Sequence, residues 1–68
     1  MDTGIKLIDT KGKIRKLRLY PSQGFGAEAF VKTGFRKRIR RIAASNDGAI
    51  HNLIVQLQDN GWKLIESK

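Results

Sequence analysis

Between positions 32 and 41 the chain reads KTGFRKRIRR, six basic residues in ten, with Phe35 and Ile39 the only apolar ones. No fold can bury such a segment, because a charged side chain stays in water unless it is paired, and this stretch contains no acid. It must lie on a surface with at most Phe35 and Ile39 turned inward. Charge at this density repels itself unless salt, water or an anionic partner offsets it, so the segment reads as a polyanion-binding surface.

The rest of the chain localises that charge. Residues 11–41 hold eleven basic residues against one acid, Glu28, while residues 1–10 and 42–68 each carry a net −1, giving +8 overall. A basic middle between near-neutral ends describes a face rather than general solubility.

Sixty-eight residues make one small domain whose core is near the lower limit for independent folding. Ordering each residue costs about 1–2 kcal/mol of backbone entropy, so the margin is thin, and homodimerisation is one way to widen it. With no cysteine there is neither a disulfide framework nor a thiolate metal site, and His51 alone cannot build a zinc site, so no cofactor is expected. A reducing, cytoplasmic setting fits. The opening MDTGIKLIDT begins with an acid and has no long apolar run, so neither a signal peptide nor a membrane span is expected.

Residues 5–9 and 14–20 alternate as two strands around Thr10, Lys11, Gly12 and Lys13, with Gly12 free to take the positive φ of a tight hairpin. If Ile8 sits opposite Ile14, one face carries Ile5, Leu7, Leu17 and Leu19 to the core. The other carries Lys6, Lys16, Arg18 and Tyr20, with Lys6 and Lys16 as direct like-charge neighbours. Pro21 closes the second strand, and a loop with Phe25 between two glycines follows. Phe25 either stacks on an unpaired base or folds back over the small core.

Residues 27–44 do not make one helix, because Ala27, Phe30, Val31 and Gly34 share one helical face and Phe35, Ile39, Ile42 and Ala43 share another, rotated from it. A break is expected at Gly34, with residues 27–33 compatible with either a short helix or a strand. For residues 35–44 a helix gathers the apolar residues, whereas a strand mixes Phe35, Ile39 and Ala43 with Lys37 and Arg41; the count favours a helix projecting Arg36, Lys37, Arg40 and Arg41 outward. Ser45–Gly48 supply caps, Ala49, Ile50, Leu53, Ile54 and Leu57 mark a helix over 49–58, and Gly61 stops it. Residues 62–66 form a last strand anchored by Trp62 and Leu64, with Ile65 a further tie to the sheet or helix.

The expected fold is α+β: a small antiparallel sheet, made of the N-terminal β-hairpin and the C-terminal strand, packed against one or two helices. The closing helix followed by NGWKLIE is similar to endings in several small α+β families, including toxins of the HicA type. Those toxins' Gly-Ser-His motif is absent here, and no residue role is carried over.

The residues expected to bind are Lys13, Lys16, Arg18, Lys32, Arg36, Lys37, Arg40 and Arg41, because guanidinium and ammonium groups donate to phosphate oxygens, with Tyr20 and Phe25 as stacking rings. His51 is the one candidate for acid–base chemistry near neutral pH, but the sequence places no carboxylate to orient it, and the scattered acids form no evident pair. The chain therefore reads as a non-enzymatic nucleic-acid-binding protein, regulatory or architectural, contacting DNA or RNA mainly at phosphates. The competing reading is an interaction protein docking the same basic face on an acidic protein surface. A membrane surface fits less well, since no long amphipathic helix carries bulky exposed apolar residues.

Overall fold

The structure, a computed structural model, describes residues 2–21 and 26–66. Among these residues five strands and one helix follow one another as β1 (Asp2–Ile8), β2 (Ile14–Pro21), β3 (Ala27–Gly34), β4 (Lys37–Ala43), α1 (Asn46–Asp59) and β5 (Lys63–Glu66). The strands form one sheet in the order β4-β3-β2-β1-β5, antiparallel throughout. This is the expected α+β domain, with a wider sheet and a single helix.

The β1–β2 hairpin has the register that its alternation predicts: Ile8 opposes Ile14 and Lys6 opposes Lys16. Asp9 builds its turn, accepting the backbone N–H groups of Lys11 and Lys13 on one carboxylate oxygen, each at 2.9 Å. Its other oxygen takes Nε of Arg15 at 3.0 Å, and Gly12 adopts φ +83°. These bonds favour the ionised carboxylate and hold the Asp9 pKa below its usual value; the Lys13 amide contributes most, against a smaller opposing effect of desolvation. Toward its start β1 is bulged, and there the Thr3 hydroxyl donates to the Leu17 carbonyl at 2.8 Å while accepting from the Ile5 N–H at 3.2 Å.

α1 leaves β4 at one edge of the sheet and delivers β5 to the other. Its 14 residues span about 21 Å at 1.5 Å each, close to the roughly 19 Å width of five strands spaced 4.8 Å apart. The helix is thus long enough to cross the sheet once. It packs mainly over β3 and β4. Ala27, Ala29 and Val31 lie fully buried beneath it; the two alanines let the helix approach the sheet closely. Leu53 and Leu57 meet them from above, and Ile5, Leu7, Leu17, Leu19, Ala49 and Trp62 complete the core. Ile50 and Ile54 are half-buried against it.

Both helix ends are capped from local sequence. The Ser45 hydroxyl accepts the Gly48 N–H at 3.1 Å. At the other end the Trp62 N–H bonds the Leu57 carbonyl at 2.9 Å and the Gly61 N–H bonds Gln58 at 3.0 Å, a Schellman closure that needs the left-handed φ of +93° at Gly61. The same closure turns Trp62 into the core, where it is buried. Leu64 and Ile65 remain 37% and 49% exposed, so Trp62 is the main anchor of the C-terminal segment.

Residues 35–44 depart from the helical expectation, while residues 27–33 take the strand, one of the two forms open to them. Together they form a hairpin, β3 and β4, broken at Gly34 as anticipated but extended on both sides. The stripe of Phe35, Ile39, Ile42 and Ala43 does not exist as a unit: Phe35 is 88% and Ile42 is 64% exposed, while Ile39 and Ala43 pack on the core. Pairing of β4 along β3 from Ala27↔Ala43 to Gly34↔Lys37 satisfies backbone groups of both segments, a non-local gain that helical spacing in ten residues does not report.

Candidate nucleic-acid interface

Among the described residues one helix covers one side of the sheet, and no element covers the other. Side chains alternate along a strand, so the residues flanking the core positions face outward. β2 contributes Lys16, Arg18 and Tyr20, β3 Glu28, Phe30 and Lys32, and β4 Arg38, Arg40 and Ile42. Register sets them in rows: Arg18, Phe30 and Arg40 lie side by side, then Tyr20, Glu28 and Ile42, while Lys32 opposes Arg38. β1 adds Lys6 beside Lys16.

Phe30 is only 6% exposed although it is no part of the core beneath the sheet. Tyr20 stacks on it, ring centroids 5.5 Å apart and planes 21° from parallel. The Arg38 guanidinium lies 5.2 Å from its ring centre, a cation–π contact. Glu28 ties this arrangement together: one carboxylate oxygen accepts Nη1 of Arg40 at 3.2 Å and the other pairs with Nη1 of Arg38 at 4.0 Å. Exposed pairs of this kind are worth about 1 kcal/mol or less, so their effect is to position the guanidinium groups rather than to hold the fold. Among the described residues no acid pairs with Lys16, Arg18, Lys32, Arg36 or Lys37.

The β2–β3 pairs run from Pro21↔Ala27 to Arg18↔Phe30, whereas β3 stays paired to β4 as far as Gly34↔Lys37. Beyond Phe30 the β3–β4 hairpin therefore extends as an arm. At its tip Phe35 is almost wholly exposed, and the Arg36 guanidinium lies 5.2 Å from its ring centre. Arg36 has a φ of +64°, the one left-handed non-glycine among the described residues. An open concavity of about 790 Å³ lies between the arm and β2, bordered by Tyr20 and Phe30 as well as by Phe35, with Arg18, Lys32 and Arg38 along it.

The residues expected from sequence divide accordingly. Lys16, Arg18, Tyr20, Lys32 and Arg40 share the open face, and Arg36 and Lys37 extend it along the arm. Lys13 is exposed in the β1–β2 turn. Arg41 is separated from Arg40: it pairs with the buried Ala29, hence points to the helix side, and borders a shallow groove with His51, Gln56 and Asp59. Phe25 lies outside the described residues. Sequence reasoning did not single out Arg38, Phe30 or Phe35, and the signal was the strand alternation of Glu28, Phe30 and Lys32 against Arg38, Arg40 and Ile42.

His51 is exposed on α1. Among the described residues no group of three or more His, Asp or Glu side chains stands close enough to hold a metal ion, and no helix is long and apolar enough to cross a membrane. No family model, curated protein or solved structure matches this chain.

Proposed function

We propose that this protein binds nucleic acid, DNA or RNA, through the open face of its sheet, in a regulatory or architectural role without catalysis. The observation that carries this reading is the rows of cations on a face that no described element covers, in which Lys16, Arg18, Lys32, Arg38 and Arg40 are set on neighbouring strands with Glu28 as the one acid whose side chain is described there. Tyr20, 59% exposed, and Phe35 sit beside the cations, an interleaving of ring and charge that suits nucleic acid better than an acidic protein surface.

The test is a titration against double-stranded DNA, single-stranded DNA and RNA at several salt concentrations. Log affinity should fall linearly with log salt, by about 0.9 per phosphate contact on a duplex and about 0.7 on a single strand. No binding to any of the three at low salt removes the reading.

A further inference from the structure

We infer that the concavity between β2 and the β3–β4 arm is a site for an unpaired strand, with bases stacked on Tyr20 and Phe35 and the phosphates between them held by Arg18, Lys32 and Arg38. This rests on the nucleic-acid reading and narrows it to single-stranded DNA or RNA. The placement of the rings carries the argument. Both border one open concavity, one on the sheet and one at the arm's tip, and the cations along it line the space between them.

Each ring is also prepared for the task. Tyr20 is held against Phe30, so little ring motion remains to be lost when a base arrives, and its exposure leaves surface free for contact. Phe35 contributes nothing to the core at 88% exposure, so its ring surface is free to be covered by a base, which would remove apolar area from water. Arg36 beside it occupies a backbone region that strains a non-glycine residue, and in doing so it sets a guanidinium against the ring. A base arriving on the other ring face would stack on the phenyl, with the cation supporting the ring from behind.

A duplex would use the same site differently. Its bases are stacked on each other and cannot lie on protein rings without unpairing, so it would engage the cations through phosphates and leave Phe35 idle. The arm entering a major groove as a two-stranded ribbon is the form such binding would take. An unpaired strand uses both the rings and the cations.

Fluorescence anisotropy with labelled oligo-dT and oligo-rU of about 12 nucleotides, and with a duplex of the same length, separates these cases when run between about 50 and 200 mM salt. The single strands should bind more tightly than the duplex, and the dT and rU affinities show which of these two strands is preferred. Phe35→Ala should weaken single-strand binding roughly 5- to 100-fold while leaving its salt slope intact, since no charge is removed, and should move duplex binding far less. Tyr20→Leu, which keeps an apolar body over Phe30, should act in the same direction. Emission from Trp62, buried on the far side of the sheet, reports that each variant is folded. Duplex binding as tight as single-strand binding, or unchanged single-strand affinity in folded Phe35→Ala, overturns this site while the phosphate reading stands. Absence of binding to all three probes overturns both.

Discussion

The two faces of the sheet come from the same strands, yet they are held together by different physics. On the helix side Ala29, Val31, Leu17 and Leu53 exclude water from one another, and among the described residues no charged residue is buried there. On the open side Phe30 reaches the same degree of burial as Ile5, 6%, beneath a tyrosine ring, guanidinium groups and their shared carboxylate. Burial of an aromatic is thus achieved on one face by a core and on the other by side chains that keep their charged ends in water. Such a cover is exchangeable in a way a core is not, because rings and cations lying over a sheet can turn to a ligand without opening the fold.

This contrast can be broken most directly through stability. Leu53→Ala on the covered face should cost about 2–5 kcal/mol, a large part of the stability of so small a domain. Ile42→Ala on the open face, 64% exposed, should change it by no more than about 0.5 kcal/mol. Denaturant midpoints for the two variants check this, and equal losses would show that the open face is covered by something else in solution.

Charge gives a finer comparison, because Arg40 and Arg41 are adjacent in sequence and opposite in space. Arg40→Ala should make the salt dependence of oligonucleotide binding shallower by about one contact, whereas Arg41→Ala should leave it as in the parent chain. Similar slopes for both variants would mean that binding follows charge density along the chain rather than the face.

The smallest effect expected lies at neither face but in the turn joining β1 to β2. The Asp9 carboxyl is held below its ordinary value of 3.8 by the Lys13 amide and, with smaller effect, Arg15 and the Lys11 amide. A carboxyl with a lowered folded-state pKa stabilises the protein fully above the unfolded value. That contribution is lost as pH falls below 3.8 and on through the lowered value. Thermal midpoints measured across that acid range should decline, and Asp9→Asn should flatten Asp9's share of the decline. An unchanged profile in Asp9→Asn would assign the acid sensitivity to other carboxylates.

Much of the architecture can be read in local sequence because local interactions decide it. The β1–β2 register follows from alternation around a glycine turn, the helix from apolar spacing between Ser45 and Gly61, and the anchoring of Trp62 from the closure at Gly61. The concentration of charge in residues 11–41 is likewise a property of the chain alone. Residues 27–44 are different, because their apolar residues match a helical period in short pieces while also alternating as two strands, and the match that counts lies between segments up to sixteen residues apart, Ala27 opposite Ala43. Pairing of that range is a tertiary gain, invisible to a window of ten residues.

The consequence for the site is the split between neighbours. A helix would have put Arg36, Lys37, Arg40 and Arg41 on one outer surface; the strand sends Arg40 to the open face and Arg41 to the helix side, and it brings Arg38 onto Phe30. Which residues are basic, and that they must remain in water, follows from the sequence by itself. Which of them act together was decided by the tertiary structure, because a strand's two-residue period assigns faces only once the strand has a partner, and because one helix can cover only one side of a sheet.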